Sequence, residues 1–112
     1  RLNFLETEFT VTGNPWGISK NNGLILYRII QEFFSNVIKH AKASRLEVFM
    51  TFDQGKLNIN LMDDGVGFDE ATIRKSSGLL NMQSRAQLID AKFMLTSQPQ
   101  SGTKLEIDYF QR

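Results

Sequence analysis

The chain has 112 residues, the length of one domain against the roughly 100–150 residues typical of single domains. Apolar residues make up 41% and there are only two prolines, which excludes collagen-like and broadly disordered chains. Thirteen Lys plus Arg against twelve Asp plus Glu leave a net charge of +1, so the balance supports neither direct nucleic-acid binding nor a broad membrane footprint.

Leu5 to Val11 reads as the first strand, with Leu5, Phe9 and Val11 on one parity and Thr7 breaking the stripe. Gly13-Asn14-Pro15 ends it. A helix is expected from about Asn21 to Ala41, capped by Ser19 or an adjacent asparagine. Its apolar positions Leu26, Ile30, Phe33, Phe34, Val37 and Ala41 fall in one arc at about 100° per residue, as on a helix laid against a core. Lys42-Ala43-Ser44 then forms a short exit. Arg45 to Phe52 and Leu57 to Leu61 alternate apolar with polar residues around the turn Asp53-Gln54-Gly55-Lys56, which reads as a hairpin. Leu79, Met82, Ala86 and Ile89 mark a second helix. Phe93 to Thr96 and Thr103 to Phe110 close the chain as a strand pair.

This order predicts an α/β two-layer sandwich: a mixed sheet with helices on one face and the other face relatively exposed. A doubly wound dinucleotide fold is disfavoured, since it needs parallel strands joined by helices and the hairpins contradict that. No apolar run approaches the roughly 18 residues that span a bilayer, so a soluble chain is expected. The first residue is Arg1, not Met, and residues 1–112 read as a single domain excised from a longer protein.

There is no cysteine, which excludes disulfides, thiolate chemistry and cysteine-ligated zinc, and a single histidine excludes a multi-histidine metal centre within this chain. Two clusters carry chemistry. On the first helix Arg28, Glu32, Asn36 and Lys39 project opposite the apolar arc, with Glu32, Asn36 and Lys39 within about 60° of one another. As a solvated face this strip offers a Glu–Lys attraction of ~0.2–0.5 kcal/mol. As a binding strip it offers hard oxygen ligands for Mg²⁺ and a positive charge for phosphate. The second cluster, Asp63-Asp64-Gly65-Val66-Gly67-Phe68, follows a strand. It reads either as a plain turn or as a strand-end carboxylate that accepts from an exocyclic amine while the glycines let a flat base approach. Gly78 opens the second helix, where free amides can hold phosphate, and Gly102-Thr103 opens the last strand.

With Glu32-x-x-x-Asn36, Asp63-x-Gly65-x-Gly67, Gly78-Leu79 and Gly102-Thr103 in this order, the chain resembles the ATP-binding catalytic domain of bacterial sensor histidine kinases, in the superfamily shared with gyrase, Hsp90 and MutL. The strings Leu26-Tyr27-Arg28-Ile29-Ile30-Gln31-Glu32, Asn36-Val37-Ile38-Lys39-His40-Ala41-Lys42-Ala43-Ser44, and Gly78-Leu79-Leu80-Asn81-Met82-Gln83-Ser84-Arg85-Ala86 are similar to the subgroup paired with LuxR-type response regulators. The resemblance covers nearly the whole chain and implies the Bergerat-type ATP-binding fold.

By resemblance, Asn36 would be the side-chain ligand to Mg²⁺, and Glu32 would act through a metal-bound water and orient the attacking group. Lys39 and His40 would approach the phosphates, with Lys39 and Glu32 as the catalytic pair. Asp63 would bind the adenine amino group, Gly65 and Gly67 would line the base, and Thr103 would support it. Gly78 and Leu79 would contact the nucleotide, and about 69–78 would form a flexible lid over the triphosphate. The implied activity is transfer of the γ-phosphate of ATP to a histidine in a separate, upstream dimerisation domain, with a response regulator as the further partner. Because the sole histidine is His40, the isolated domain is expected to bind ATP without autophosphorylating, and to be monomeric where the full-length protein is a dimer. The implied location is a cytoplasmic domain, membrane anchoring of the parent being left open.

The chain departs from the subgroup's pattern twice: Ser76 stands where a lid glycine is usual, and Asp90-Ala91 replaces a glycine pair after the second helix. A nucleotide-binding regulatory domain without phosphotransfer, and an anti-sigma-factor-type serine kinase, are the alternatives at this stage.

Overall fold

The computed structural model describes residues 5–67, 77–97 and 100–111, with the backbone alone at residues 40 and 41. Strand β1 (Glu6–Gly13) leads into helix α1 (Lys20–Asn36), which continues through a π-helical turn over Val37–Ala41. Strands β2 (Arg45–Asp53) and β3 (Lys56–Asp63) follow, then helix α2 (Ser77–Leu88) and strands β4 (Lys92–Ser97) and β5 (Thr103–Phe110). The five strands form one sheet in the order β1-β2-β3-β5-β4. β1 pairs with β2 in parallel, and the other three pairings are antiparallel. The expected mixed sheet is therefore observed. α1 makes the crossover between the parallel neighbours β1 and β2. β5 turns back between β3 and β4, and so puts Asp63 in a central strand.

Alternation along the strands decides which face is covered. Leu46 and Val48 of β2, Leu57, Ile59 and Leu61 of β3, and Leu105, Ile107 and Tyr109 of β5 are buried in one cluster with Leu26, Ile29, Phe33 and Val37 of the first helical run. Met82 and Ala86 of α2, with Ile89 just beyond it, complete the cluster. Ile29 is fully buried although the apolar arc read from the sequence omitted it. The opposite sheet face is polar: Asn58 donates to Glu106 at 3.0 Å and to Asp108 at 2.7 Å. Arg45 pairs there with Glu6, Glu8 and Glu47 and ties the parallel edge together.

β1 is an edge strand, and its apolar parity is only half covered. Phe9 meets Phe34 with ring centroids 6.0 Å apart, yet Phe9 and Val11 stay 57% and 55% exposed. At the hairpin end, Trp16 donates to the Asp53 carbonyl at 2.9 Å and packs edge-on against Phe52 and parallel to Tyr109. Asn22 reaches the Tyr109 hydroxyl at 2.8 Å, which closes the core at the pole away from Asp63. Ser19 caps α1, accepting from the Asn22 amide at 3.2 Å. Among the described residues no helix is long and apolar enough to cross a membrane.

The exit of α2 accounts for one departure seen in the sequence. The Ala91 amide donates to Ala86 at 2.9 Å and the Asp90 amide to Gln87 at 3.1 Å, the two bonds of a Schellman cap. That cap requires a left-handed residue, and Asp90 fills it at φ 52°. Asp tolerates the region better than most residues but bears its steric cost. We therefore expect Asp90→Gly to stabilise the domain by about 1 kcal/mol without changing its fold, read as a higher urea midpoint at unchanged m-value.

Candidate functional site

Asp63 is the last residue of β3, paired with Leu46 on one side and Thr103 on the other, and strand parity turns its side chain into the helix layer. One carboxylate oxygen accepts from the Gly65 amide at 2.7 Å. The other, Oδ2, is shut off from water and has no hydrogen-bond partner among the described residues. A buried acceptor left unbonded costs ~1–3 kcal/mol, so its presence calls for an explanation. Burial pushes the Asp63 carboxyl above the ordinary carboxylate range, against the pull of the Gly65 amide.

Its neighbour Asp64 is the reverse case. It accepts from the Ser44 hydroxyl at 2.6 Å and from the Ser44 and Arg45 amides at 2.9 and 2.8 Å. These bonds, led by the Ser44 hydroxyl, hold its carboxyl below the ordinary range. The Asp64 amide also donates to the Arg45 carbonyl at 3.2 Å, so this residue staples the start of β2 to the end of β3.

Asp63 lines a shallow open cleft with Phe33, Asn36, Val37, Met82, Leu95 and Thr103. Apolar walls with a few convergent polar groups are the usual build of a small-molecule site. Glu32 and Asn36 lie one turn apart on α1, half-buried on the flank that meets α2, not opposite the core as the helical wheel suggests. Gly78 sits against both: a Cβ there would lie 3.2 Å from Asn36 Nδ2 and 3.4 Å from Glu32 Oε2. The two side chains therefore converge at the first turn of α2.

The remaining predicted residues divide by position. Gly65 is buried beside Asp63, and Gly67 takes a left-handed φ of 69°. Leu79 is buried, and Thr103 is 5% exposed. Lys39 lies exposed on the π-helical turn and does not line the cleft. The helical run reaches Ala41 as expected, but its last turn, Val37–Ala41, is π-helical, and this wider turn shifts Lys39 from its α-helical projection. The His40 side chain and all but residues 77 and 78 of the expected lid lie outside the described residues. Phe33, Val37, Met82 and Leu95 were not singled out as site residues. Phe33, Val37 and Met82 carry the same apolar periodicity as the core, so only the fold separates cleft wall from core.

The family model for the histidine kinase-, DNA gyrase B- and HSP90-like ATPases matches residues 21–111. The chain belongs to this family. A sensor-like histidine kinase of Chloroflexus aurantiacus is 39% identical over 89 residues, covering 73% of this chain and 15% of that protein. The sensor protein VraS of Staphylococcus haemolyticus is 37% identical over 73% of this chain and 24% of its own length. The sensor histidine kinase ComP of Bacillus subtilis is 35% identical over 76% of this chain and 11% of its own. The chain thus spans less than a quarter of these relatives. In fold it matches the blue-light activated histidine kinase of Erythrobacter litoralis, with a TM-score of 0.81 at 17% identity over 97% of this chain and 36% of that one. It also matches AdeS of Acinetobacter baumannii, with a TM-score of 0.77 at 16% identity over 96% of this chain and 55% of that one. The α/β fold is that of histidine kinase ATPase domains.

Two predictions follow from the geometry. A carboxyl raised by folding favours the folded state below the unfolded carboxylate range and loses that contribution as pH rises through the folded value. Asp63→Asn should therefore stabilise the ligand-free domain by about 1 kcal/mol near pH 8, with the gain shrinking toward pH 4 in thermal melts. Gly78→Ala should push Asn36 or the start of α2 aside, leaving stability within about 1 kcal/mol but weakening ATP binding roughly tenfold by calorimetry.

Proposed function

We propose that this domain binds Mg-ATP and donates the γ-phosphate to a histidine in a separate dimerisation domain of its parent protein, within two-component signal transduction. The observation that carries the reading is the buried, unbonded Oδ2 of Asp63 at the wall of an apolar cleft. An exocyclic amine such as that of adenine supplies the missing donor, and the apolar walls suit a flat base. The residue order and the family match support the same reading.

Glu32 and Asn36 fit magnesium by donor type: a carboxylate and an amide oxygen converge, too few for a protein-only cage but enough when phosphate and water complete the shell. Magnesium, when bound, neutralises charge on the phosphate oxygens. In this reading Asn36 is its side-chain ligand, while Glu32 acts through a bound water and orients the attacking imidazole. Lys39 and His40 neutralise the phosphates, Gly67 and Leu79 flank the nucleotide, and residues 69–78 close over the triphosphate. As the imidazole nitrogen bonds to the γ-phosphorus, the bond to the bridging oxygen breaks and ADP leaves.

The phosphate then passes to a response regulator, of the LuxR type by the similarity of the helix motifs. The domain by itself is a monomeric cytoplasmic unit that binds ATP without autophosphorylating, while the parent protein is a dimer. Calorimetric titration of ATP with and without Mg²⁺ tests this. Saturable binding should be abolished in Asp63→Asn, while Asn36→Ala should weaken it about tenfold and remove its magnesium dependence. Unchanged binding in Asn36→Ala would overturn the metal role, and unchanged binding in Asp63→Asn the base site.

A further inference from the structure

The contact between Ser44 and Asp64 lies just outside the strand ladder and joins the exit of the first helical run to the end of a central strand. Ser44 stands between the π-helical turn, Val37–Ala41, and β2, and Asp64 is the first residue past β3. Asp64 Oδ1 accepts from the Ser44 and Arg45 amides at 2.9 and 2.8 Å, and Oδ2 accepts from the Ser44 hydroxyl at 2.6 Å. The direction of these bonds is fixed, because an ionised carboxylate only accepts. The Ser44 carbonyl in turn accepts from the Glu6 amide at 2.9 Å, so the same residue also ties in the start of β1.

Apolar contacts seat the turn as well: Val37 is in the core, and Ala43 packs against it. Such contacts are non-directional, whereas three hydrogen bonds to one carboxylate fix both place and direction. Lys42 has φ 49°, a left-handed conformation that L-residues bear at a cost, and the clasp holds the chain two residues past it. Asp63 has its own hold, since the ladder pairs it with Leu46 on one side and Thr103 on the other. What the clasp fixes is therefore the turn more than the strand. Lys39 stands exposed on that turn.

We infer that Ser44 and Asp64 are positioning residues for the nucleotide: by locking the exit of the π turn to the end of β3, they set where Lys39 stands relative to Asp63. The inference rests on the nucleotide-binding reading above and adds to it two residues that act without touching the ligand. A nucleotide held at its base by Asp63 meets Lys39 with its phosphates only if the offset between the two residues suits its length. With the clasp open, the turn shifts and that match is lost.

The test is ATP affinity by calorimetry with Mg²⁺, in single variants and in Asp64→Ala combined with Lys39→Gln. Asp64→Ala should weaken binding about three- to tenfold, and Ser44→Ala, which keeps the two amide bonds, about two- to threefold. Asp64→Asn keeps an oxygen for the amides and lets its Nδ2 donate to the Ser44 hydroxyl, so it should stay within about twofold of the wild type. Lys39→Gln should weaken binding by itself, and adding Asp64→Ala to it should cost nothing further, because the clasp acts through the residue already removed. A contact that only held the domain together, or acted through Asp63, would give losses that multiply, and that result overturns the inference. Tighter binding in both Asp64 variants would mark a carboxylate that merely repels the phosphates, and overturns it too. So does wild-type affinity in Lys39→Gln, in a folded Asp64→Ala or, should that variant not fold, in Ser44→Ala; nucleotide binding then stands. A wild type that does not bind ATP removes the function proposed above and this inference with it.

Discussion

The arrangement at the end of β3 depends on keeping one carboxylate oxygen dry and unbonded. Asp63 Oδ2 lies in a central strand, walled by apolar side chains, with its sister oxygen tied to the Gly65 amide. Water is the usual remedy for such an atom, but Oδ2 has almost no surface open to solvent. The free energy for holding it comes from the sheet: β3 is paired along its length on both sides, and its inward residues Leu57, Ile59 and Leu61 are almost completely buried. On the proposed reading, a carboxylate in this position favours a ligand that brings its own donors.

The helices divide the remaining work by face. α1 inserts Leu26, Ile29 and Phe33 into the core, while the flank one step around carries Glu32 and Asn36 to the first turn of α2. Gly78 lets the two helices meet at that point without a side chain between them. Beyond Asn36 the helix loosens into a π turn, a conformation common at functional sites because it re-aims side chains without ending the helix. Core packing and the candidate site are thus carried by adjacent flanks of one helix.

Much of this was legible from residue order, and what was not has identifiable causes. The hairpin around Asp53 and Lys56 could be read because alternation and a glycine turn are local signals. Asp63 and its glycines could be read because a carboxylate at a strand end followed by glycines is unusual chemistry at a recognisable spacing. The walls of the cleft could not, because Phe33, Val37 and Met82 carry the same periodicity as core residues. The half-exposure of Phe9 and Val11 was hidden for a similar reason: parity gives the face of a strand, but only pairing shows that the strand is at the edge. The π turn was missed because a wheel assumes one angle per residue throughout.

Asp63 and Asp64 show most clearly where a sequence motif stops being informative. They are adjacent, chemically identical and equally acidic in the unfolded chain, yet folding drives their carboxyls in opposite directions. The cause is the pleat. Asp63, still within the strand, points inward, where burial outweighs the backbone amides that reach its carboxylate and Oδ2 is left without a partner among the described residues. Asp64, one residue beyond the ladder, points to the start of β2 and gathers two amides and a hydroxyl. The second satisfies itself and thereby pins the turn; the first is left unsatisfied at the point that the turn fixes. A one-residue slip of β3 against β2 and β5 would turn Asp63 to the opposite sheet face and take its carboxylate out of the cleft. The register of the sheet is therefore as much a determinant of the site as the aspartate itself.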